Sequence, residues 1–161
     1  MTLIRGPPNS YGFAGNSSSR WNESYARNNV LQLLLMKQVE WGLEAQTTIG
    51  KTTLLLAAGS GHPSTVDLLL EKGADLKAKD NQGWNALHIA ASFGRDNVLQ
   101  LLLAKQVEWD LETRLPDGRT GLLLAAVNGH SSTVDLLGKG ADLGAKENQS
   151  WNIVHHAAGF G

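Results

Sequence analysis

The sequence contains no cysteine, which removes a disulfide framework, thiolate catalysis and cysteine-ligated zinc from consideration and fits a reducing compartment. It has no charge bias either: 14 Lys and Arg stand against 15 Asp and Glu, a formal net charge of −1. No global field draws the chain to nucleic acid or to an anionic membrane, and neither is expected as a partner. No apolar run approaches the roughly 18 residues of a membrane span, and the opening MTLIRGPPNSYGFAG lacks the apolar core of a secretory signal. An intracellular location, cytoplasmic or nuclear, is the expectation. Asn16-Ser-Ser, Asn22-Glu-Ser and Asn148-Gln-Ser match the N-glycosylation tripeptide, but without a secretory route all three read as chance.

What the sequence does have is repetition. Val30-Leu-Gln-Leu-Leu-Leu-Met-Lys-Gln-Val-Glu-Trp41 nearly duplicates Val98-Leu-Gln-Leu-Leu-Leu-Ala-Lys-Gln-Val-Glu-Trp109, 68 residues later. Gly50-Lys-Thr-Thr-Leu-Leu-Leu-Ala-Ala matches Gly118-Arg-Thr-Gly-Leu-Leu-Leu-Ala-Ala at the same spacing. A half-period shows in Gly50, Gly83 and Gly118, 33 and 35 residues apart, and Trp151-Asn152 opens a further copy of Trp84-Asn85. Fixed spacing of this size marks stacked supersecondary units, none able to bury its apolar face alone.

The chain therefore divides into a flexible leader, 1–19, rich in Gly, Ser, Asn and Pro; a degenerate first unit, 20–46; three fuller units at 47–79, 80–114 and 115–147; and a half-unit, 148–161. Upstream of Val30 the match fails, so the first unit has lost about half of its first helix or replaced it by extending the second one backwards. Residues 80–114 are the most intact unit. Ala86, Leu87, Ala90 and Ala91 fall on one helical face, Gly94 breaks the run, and Asp96 is placed to cap a second helix. That helix carries Val98, Leu99, Leu101, Leu102 and Leu103 on its apolar side. Equivalent second helices are expected at Pro63 to Glu71 and from Ser132 to about Leu137, with Gly73 and Gly140 where a left-handed cap ends a helix.

The pattern resembles the ankyrin repeat, in which a glycine, Thr-Pro-Leu-His, two alanines, Gly-His, an apolar leucine run and Gly-Ala-Asp recur in order. Here it stands as Gly50-Lys-Thr-Thr-Leu-Leu, Ala57-Ala58, Gly61-His62, Leu68-Leu69-Leu70 and Gly73-Ala74-Asp75. It returns as Gly83-Trp-Asn-Ala-Leu-His88, and as Gly118-Arg-Thr-Gly-Leu-Leu with Gly129-His130 and Gly140-Ala141-Asp142. The resemblance covers about residues 22–161. Four departures stand out. Thr53, Ala86, Gly121 and Ile153 replace the family's proline, removing a rigid helix start from every copy. Gln38 and Gln106 replace a capping glycine, at about 1 kcal/mol each in a left-handed conformation. The unit 115–147 is one residue short and carries Gly138 into its helix end, so it is expected to open first. The last half-unit stops after a first helix, which points to a fragment of a longer array or a truncated gene.

Ala45-Gln-Thr-Thr-Ile-Gly50-Lys51-Thr52 satisfies a loose phosphate-loop pattern, in which amides cradle phosphates, Lys51 neutralises them and Thr52 holds magnesium. No buried strand precedes it, Ala45 replaces the first glycine, and the repeat register already accounts for Gly50. Nucleotide binding is thus a remote alternative. Four of the five histidines fall at repeat positions, His62 and His130 after glycine, His88 and His155 in the Thr-Pro-Leu-His place. The family uses both as structural hydrogen-bonding groups. Only His156 is extra, no ligand set has a suitable spacing, and neither metal nor cofactor is expected. Nothing pairs a nucleophile with a base and its orienting group, so the chain is not expected to be an enzyme. Trp41 and Trp109 stand where Leu76 and Leu143 stand and read as packing. Trp84 and Trp151 follow the glycine position of the loop and read either as partner contacts or as braces between loops.

The fold expected is all-α, an α-solenoid of stacked helix-turn-helix ankyrin-like repeats with short β-hairpin-type loops. The resemblance implies a non-catalytic protein–protein interaction scaffold that holds a protein partner by its concave face and hairpin tips. A structural segment of a longer repeat protein is the alternative. Carried over position by position, the contact set is Thr48, Ile49, Lys51 and Ser60 in one unit, then Asn81, Gln82, Trp84, Ser92 and Phe93. Asp117, Arg119, Val127 and Asn128 follow, then Gln149 and Trp151. A monomer is expected, with a risk of self-association at an uncapped C-terminus.

Overall fold

The computed structural model describes residues 29–30, 33–34, 37, 42–105 and 110–159. The expectations for the leader, for Gln38 and Gln106, and for Trp41 and Trp109 fall outside these residues. Seven helices are bounded within them: α1 (Thr53–Ser60), α2 (Pro63–Glu71), α3 (Ala86–Ser92), α4 (Asp96–Ala104), α5 (Gly121–Val127), α6 (Ser131–Leu137) and α7 (Ile153–Gly159). Positions 29–30 and 33–34 are helical as well.

Polar side chains fix where the first helix of each unit begins. The Thr52 and Thr120 hydroxyls and the Asn85 amide oxygen accept hydrogen bonds from the backbone amides of Leu55, Leu123 and His88. A cap of this kind contributes about 1 kcal/mol, and it starts each helix without the family's proline. Gly121 also lets α5 lie close on α3: a Cβ there would stand 2.6 Å from Leu87 Cδ2 and force that side chain to shift. Gly94 turns α3 into α4 at φ 61°, where a Cβ would lie 2.7 Å from His130 Nδ1.

The helices form two layers. First helices stack α1 on α3, α3 on α5 and α5 on α7; second helices stack α2 on α4 and α4 on α6. The alanine pairs Ala57-Ala58, Ala90-Ala91 and Ala125-Ala126 are buried between first helices and let them approach closely. Val66, Leu69, Val98, Leu99, Leu102 and Leu137 fill the space from the second layer. Burying each such side chain is worth about 1.5–3 kcal/mol, which is why the leucine run repeats.

Polar bonds join one unit to the next, and their chemistry alternates. From 80–114 to 115–147, His130 Nε2 meets the Ser92 carbonyl oxygen at 3.0 Å, the Ser132 and Thr133 hydroxyls donate to the Asp96 carboxylate, and the Asp142 amide donates to Glu112 Oε1 at 2.7 Å. The last bond has its earlier counterpart between the Asp75 amide and Glu44 Oε1, at 2.7 Å. From 47–79 to 80–114 a different set operates. Arg95 Nε donates to the Gly59 carbonyl at 2.9 Å, Asn81 Nδ2 donates to the Thr48 carbonyl at 3.2 Å, and Lys105 pairs with Asp67. The Asn81 bond is repeated by Asn148 Nδ2, which donates to the Pro116 carbonyl at 2.9 Å. Lys77 occupies the place of Glu44 and Glu112, so the carboxylate bond is confined to alternate junctions.

Two local expectations are corrected. Asp96 does not cap α4: Arg95 precedes that helix with no side-chain cap, Asp96 is its first residue, and the carboxylate is taken by the two hydroxyl donors at the start of α6. Gly73 is left-handed at φ 92°, but Gly140 is not among the described residues with positive φ. The shortened unit ends its helix differently: Gly138 is a right-handed C-cap, and the Gly140 and Ala141 amides both donate to the Leu137 carbonyl, at 3.0 and 2.9 Å.

Candidate partner-binding edge

Four tight turns lie along one edge, each leading into the first helix of its unit. The Gly50, Gly83, Gly118 and Ser150 amides donate to the Thr47, Asp80, Leu115 and Glu147 carbonyls at 2.8, 2.9, 2.8 and 2.9 Å. A second bond closes every turn, from the Thr47, Asp80, Leu115 and Glu147 amides to the carbonyls of Lys51, Trp84, Arg119 and Trp151 at 2.9–3.0 Å. The fourth turn position is left-handed throughout, at φ 80°, 84° and 85° for the glycines and 67° for Ser150. Tips are linked in pairs: the Asn81 amide donates to the Ile49 carbonyl at 3.2 Å and the Asn148 amide to the Asp117 carbonyl at 3.1 Å. Pro116, the equivalent of both asparagines, has neither an N–H nor a side-chain donor, so it makes no such link to the 80–83 tip.

The expected contact residues fall in two rows rather than one. Thr48, Ile49, Asn81, Gln82, Asp117 and Gln149 lie exposed on the tips, with Lys51, Trp84, Arg119 and Trp151 just behind. Ser60, Ser92, Phe93, Val127 and Asn128 lie at the opposite ends of the first helices, about 10 Å away at 1.5 Å per residue. Several are already engaged. Asn81 links two tips, Asn128 Nδ2 donates to Ser92 Oγ at 3.2 Å and to the Leu124 carbonyl at 2.9 Å, and Arg119 pairs with Asp117 at 2.6 Å. Burial would raise the Asp117 carboxyl, but the hydrogen bonds and charge of Arg119 together outweigh it and hold the group below its ordinary value. Trp84 is half-buried against the core, its ring centroid 6.5 Å from that of His88. Trp151 is 40% exposed, and Ile49 and Phe93 are 57% and 52% exposed.

Arg95 escaped the sequence reading. Its guanidinium lies 6.0 Å from the Phe93 ring centroid, while its Nε holds the Gly59 carbonyl. The available signal was arginine at the place occupied by His62 and His130. The phosphate-loop residues form a tight turn instead of a cradle: the Thr52 hydroxyl that would meet magnesium accepts from Leu55, and the residue is 1% exposed. Among the described residues no three metal-ligating side chains converge, and no helix is long and apolar enough to cross a membrane.

Paired helices in two layers, side-chain caps at each first helix and tight turns along one edge define a helical repeat protein. Residues 24–113 match the family described as ankyrin repeats (3 copies), and residues 117–148 match the ankyrin repeat. The chain belongs to that family. Similar curated proteins include NF-kappa-B inhibitor delta of Mus musculus, 37% identical over 108 residues, which covers 67% of this chain and 31% of that protein. Transient receptor potential cation channel subfamily A member 1 of Homo sapiens is 34% identical over 133 residues, 79% of this chain and 11% of the other. Neurogenic locus notch homolog protein 2 of Homo sapiens is 36% identical over 118 residues, 72% of this chain and 5% of the other. The chain thus spans less than a third of the length of each.

Proposed function

We propose that the chain is a non-catalytic protein-binding module that holds its partner across the hairpin tips and the adjoining concave face of the first helices. The observation that carries this reading is that backbone geometry repeats along the edge while most of its side chains change from unit to unit. Lys51, Trp84, Arg119 and Trp151 share one position, and Ser60, Phe93 and Asn128 share another. The interior keeps its residue type at equivalent places, as in Leu54, Leu87 and Leu122. Equal positions bearing unlike exposed groups form a row of separate contacts, from which a protein surface can draw affinity without a cofactor or a bond-making step. Ile49 on the tips and Phe93 at the far end of α3 are apolar anchors, one in each row, and Arg95 adds a cation beside the Phe93 ring. The balanced net charge favours a protein over nucleic acid as partner. A relative named as an inhibitor of NF-kappa-B accords with action on another macromolecule.

Quantitative affinity capture with the full chain and with an Ile49→Asp, Phe93→Ala double variant tests it. Both positions are exposed, so the circular dichroism spectrum should not change, while the partner captured by the wild type should bind at least about tenfold more weakly. A folded double variant that captures the same proteins with unchanged affinity would rule out this face.

A further inference from the structure

Charge is not shared evenly between the two layers. The tips, the first helices and the turns that close them form one side, residues 46–62, 79–95, 114–130 and 146–159. Six cations stand there, Lys51, Lys79, Arg95, Arg114, Arg119 and Lys146, against three carboxylates, Asp80, Asp117 and Glu147. The second helices and return segments, residues 42–45, 63–78, 96–105, 110–113 and 131–145, reverse the balance with four cations and nine carboxylates. A formal net charge of −1 over the whole chain conceals this separation.

On the tip side the carboxylates are turned to partners within the chain. Asp80 Oδ1 accepts from the Gln82 and Trp84 amides, both at 2.9 Å, Asp117 is paired with Arg119, and the Glu147 side chain is 11% exposed, its Oε1 3.7 Å from His156 Nε2. The cations face outward: Lys79, Arg95, Arg114 and Lys146 are all exposed. The bonds of Arg95 and Arg114 run to backbone carbonyls, which leave a guanidinium its charge, and Lys79 and Lys146 make no ion pair among the described residues. Between the tips and the far helix ends, α1, α3 and α5 carry no charged residue. Lys79, Arg114 and Lys146 also share one register position, each directly before its tip. Helices packed side by side stand about 8–10 Å apart, which sets the spacing of that row.

We propose that the tip side binds an acidic, extended segment of a partner protein, laid across successive units with one carboxylate for each. This rests on the protein-binding reading above and names the class of segment bound. In a polyproline helix every third residue returns to the same side, about 9 Å further on, so acidic side chains three apart match the cation row. Residues between them are free to be apolar, and Ile49 and Phe93 are the exposed apolar side chains that they meet. Such complementarity of charge steers encounter and excludes partners of the wrong sign. Duplex DNA fits less well: it carries a charge for about every 1.7 Å of its axis, which the carboxylates among the tips and the nine on the other layer oppose.

Fluorescence anisotropy with a labelled peptide, Glu-Leu-Pro repeated four times, tests this on the full chain. The peptide should bind, and its Lys-Leu-Pro counterpart should not. Raising the salt from about 50 mM to about 300 mM should weaken binding at least about fivefold, since exposed charges are screened over about 10 Å at 0.1 M. Lys79→Glu combined with Lys146→Glu changes two exposed side chains; the circular dichroism spectrum should stay as it is while the Glu peptide binds at least about tenfold more weakly. Glu71→Lys, exposed on the other layer, should leave binding unchanged. A Glu peptide that does not bind, a Lys peptide that binds equally, or a double variant that binds like the wild type would each overturn the proposal. So would a labelled oligodeoxynucleotide that binds more tightly than the Glu peptide, or a chain that self-associates through Lys79, which would give the tip side to the carboxylates of a second copy. The earlier reading is judged separately: a partner lost from the Ile49→Asp, Phe93→Ala variant, yet indifferent to salt and to Lys79→Glu, overturns the acidic class alone.

Discussion

His88 has no room for a second proton. Its Nδ1 accepts from the Asn85 amide at 3.5 Å and its Nε2 meets the Thr113 carbonyl at 3.0 Å, so the neutral ring carries its proton on Nε2. Burial is the largest influence and lowers the pKa, against the opposing effect of the Thr113 bond. The unfolded chain therefore takes up this proton at a higher pH than the folded one. The stability tied to it is complete above the ordinary histidine value of 6.5 and is lost as pH falls below that, levelling off only beneath the depressed folded value. Urea unfolding at a series of pH values should show that loss, and His88→Leu, with leucine as at Leu55 and Leu123, should flatten it. The tip glycines make a second contrast. Both Gly83 and Gly118 are left-handed, but a Cβ at Gly83 meets only Pro116 Cδ at 3.7 Å, while one at Gly118 meets Asn148 Oδ1 at 2.4 Å and its backbone N at 2.7 Å. Gly83→Ala is expected to cost about 1 kcal/mol, the conformational penalty alone. Gly118→Ala should cost clearly more in the same denaturation assay.

Among the second helices α6 is expected to be the weakest. It has seven residues against nine in α2 and α4, ends at Gly138, and buries only Thr133 and Leu137. Its Lys139–Asp135 pair has side chains 71% and 77% exposed, and ion pairs so exposed contribute little. Its start is held by Asp96 of the preceding unit, whose pKa is lowered first by the Ser132 hydroxyl and then by that of Thr133. This support is complete above the ordinary aspartate value of 3.8 and is lost as pH falls through the lower folded value. Hydrogen exchange should find α6 amides opening before those of α2 and α4, and Asp96→Ala should hasten α6 further while leaving α2 unchanged. Uniform protection across the three would contradict this account. The bounds of α2 and the left-handed Gly73 were legible in the sequence, because helical period, Pro63 and a glycine after the helix act within a single unit. The destination of the Asp96 carboxylate, the conformation of Gly140 and the placement of Arg95 beside Phe93 were not. Each depends on what the neighbouring unit, or a one-residue deletion, sets opposite. The places of the candidate contact residues on tips and helix ends were legible, but not which were already tied up: Asn81 and Asn128 find partners in the preceding unit and Arg119 on its own tip.

Across the whole array, stability is a sum of units and the junctions between neighbours, and here the junctions are of two kinds. Removing residues 47–114 would bring 20–46 against 115–147 and set Glu44 opposite the Asp142 amide, in the role Glu112 has now. Removing 80–114 alone would set Lys77 opposite that amide and Pro63 opposite the Ser132 and Thr133 hydroxyls, replacing an acceptor with a cation and a ring. Thermal unfolding of the second product should split into two transitions. At the level of the gene the consequence is one of parity. In-frame loss of a single unit writes a cation opposite the Asp142 amide, whereas loss of two keeps a carboxylate there. Copy number in lineages descended from this array is expected to change by even steps.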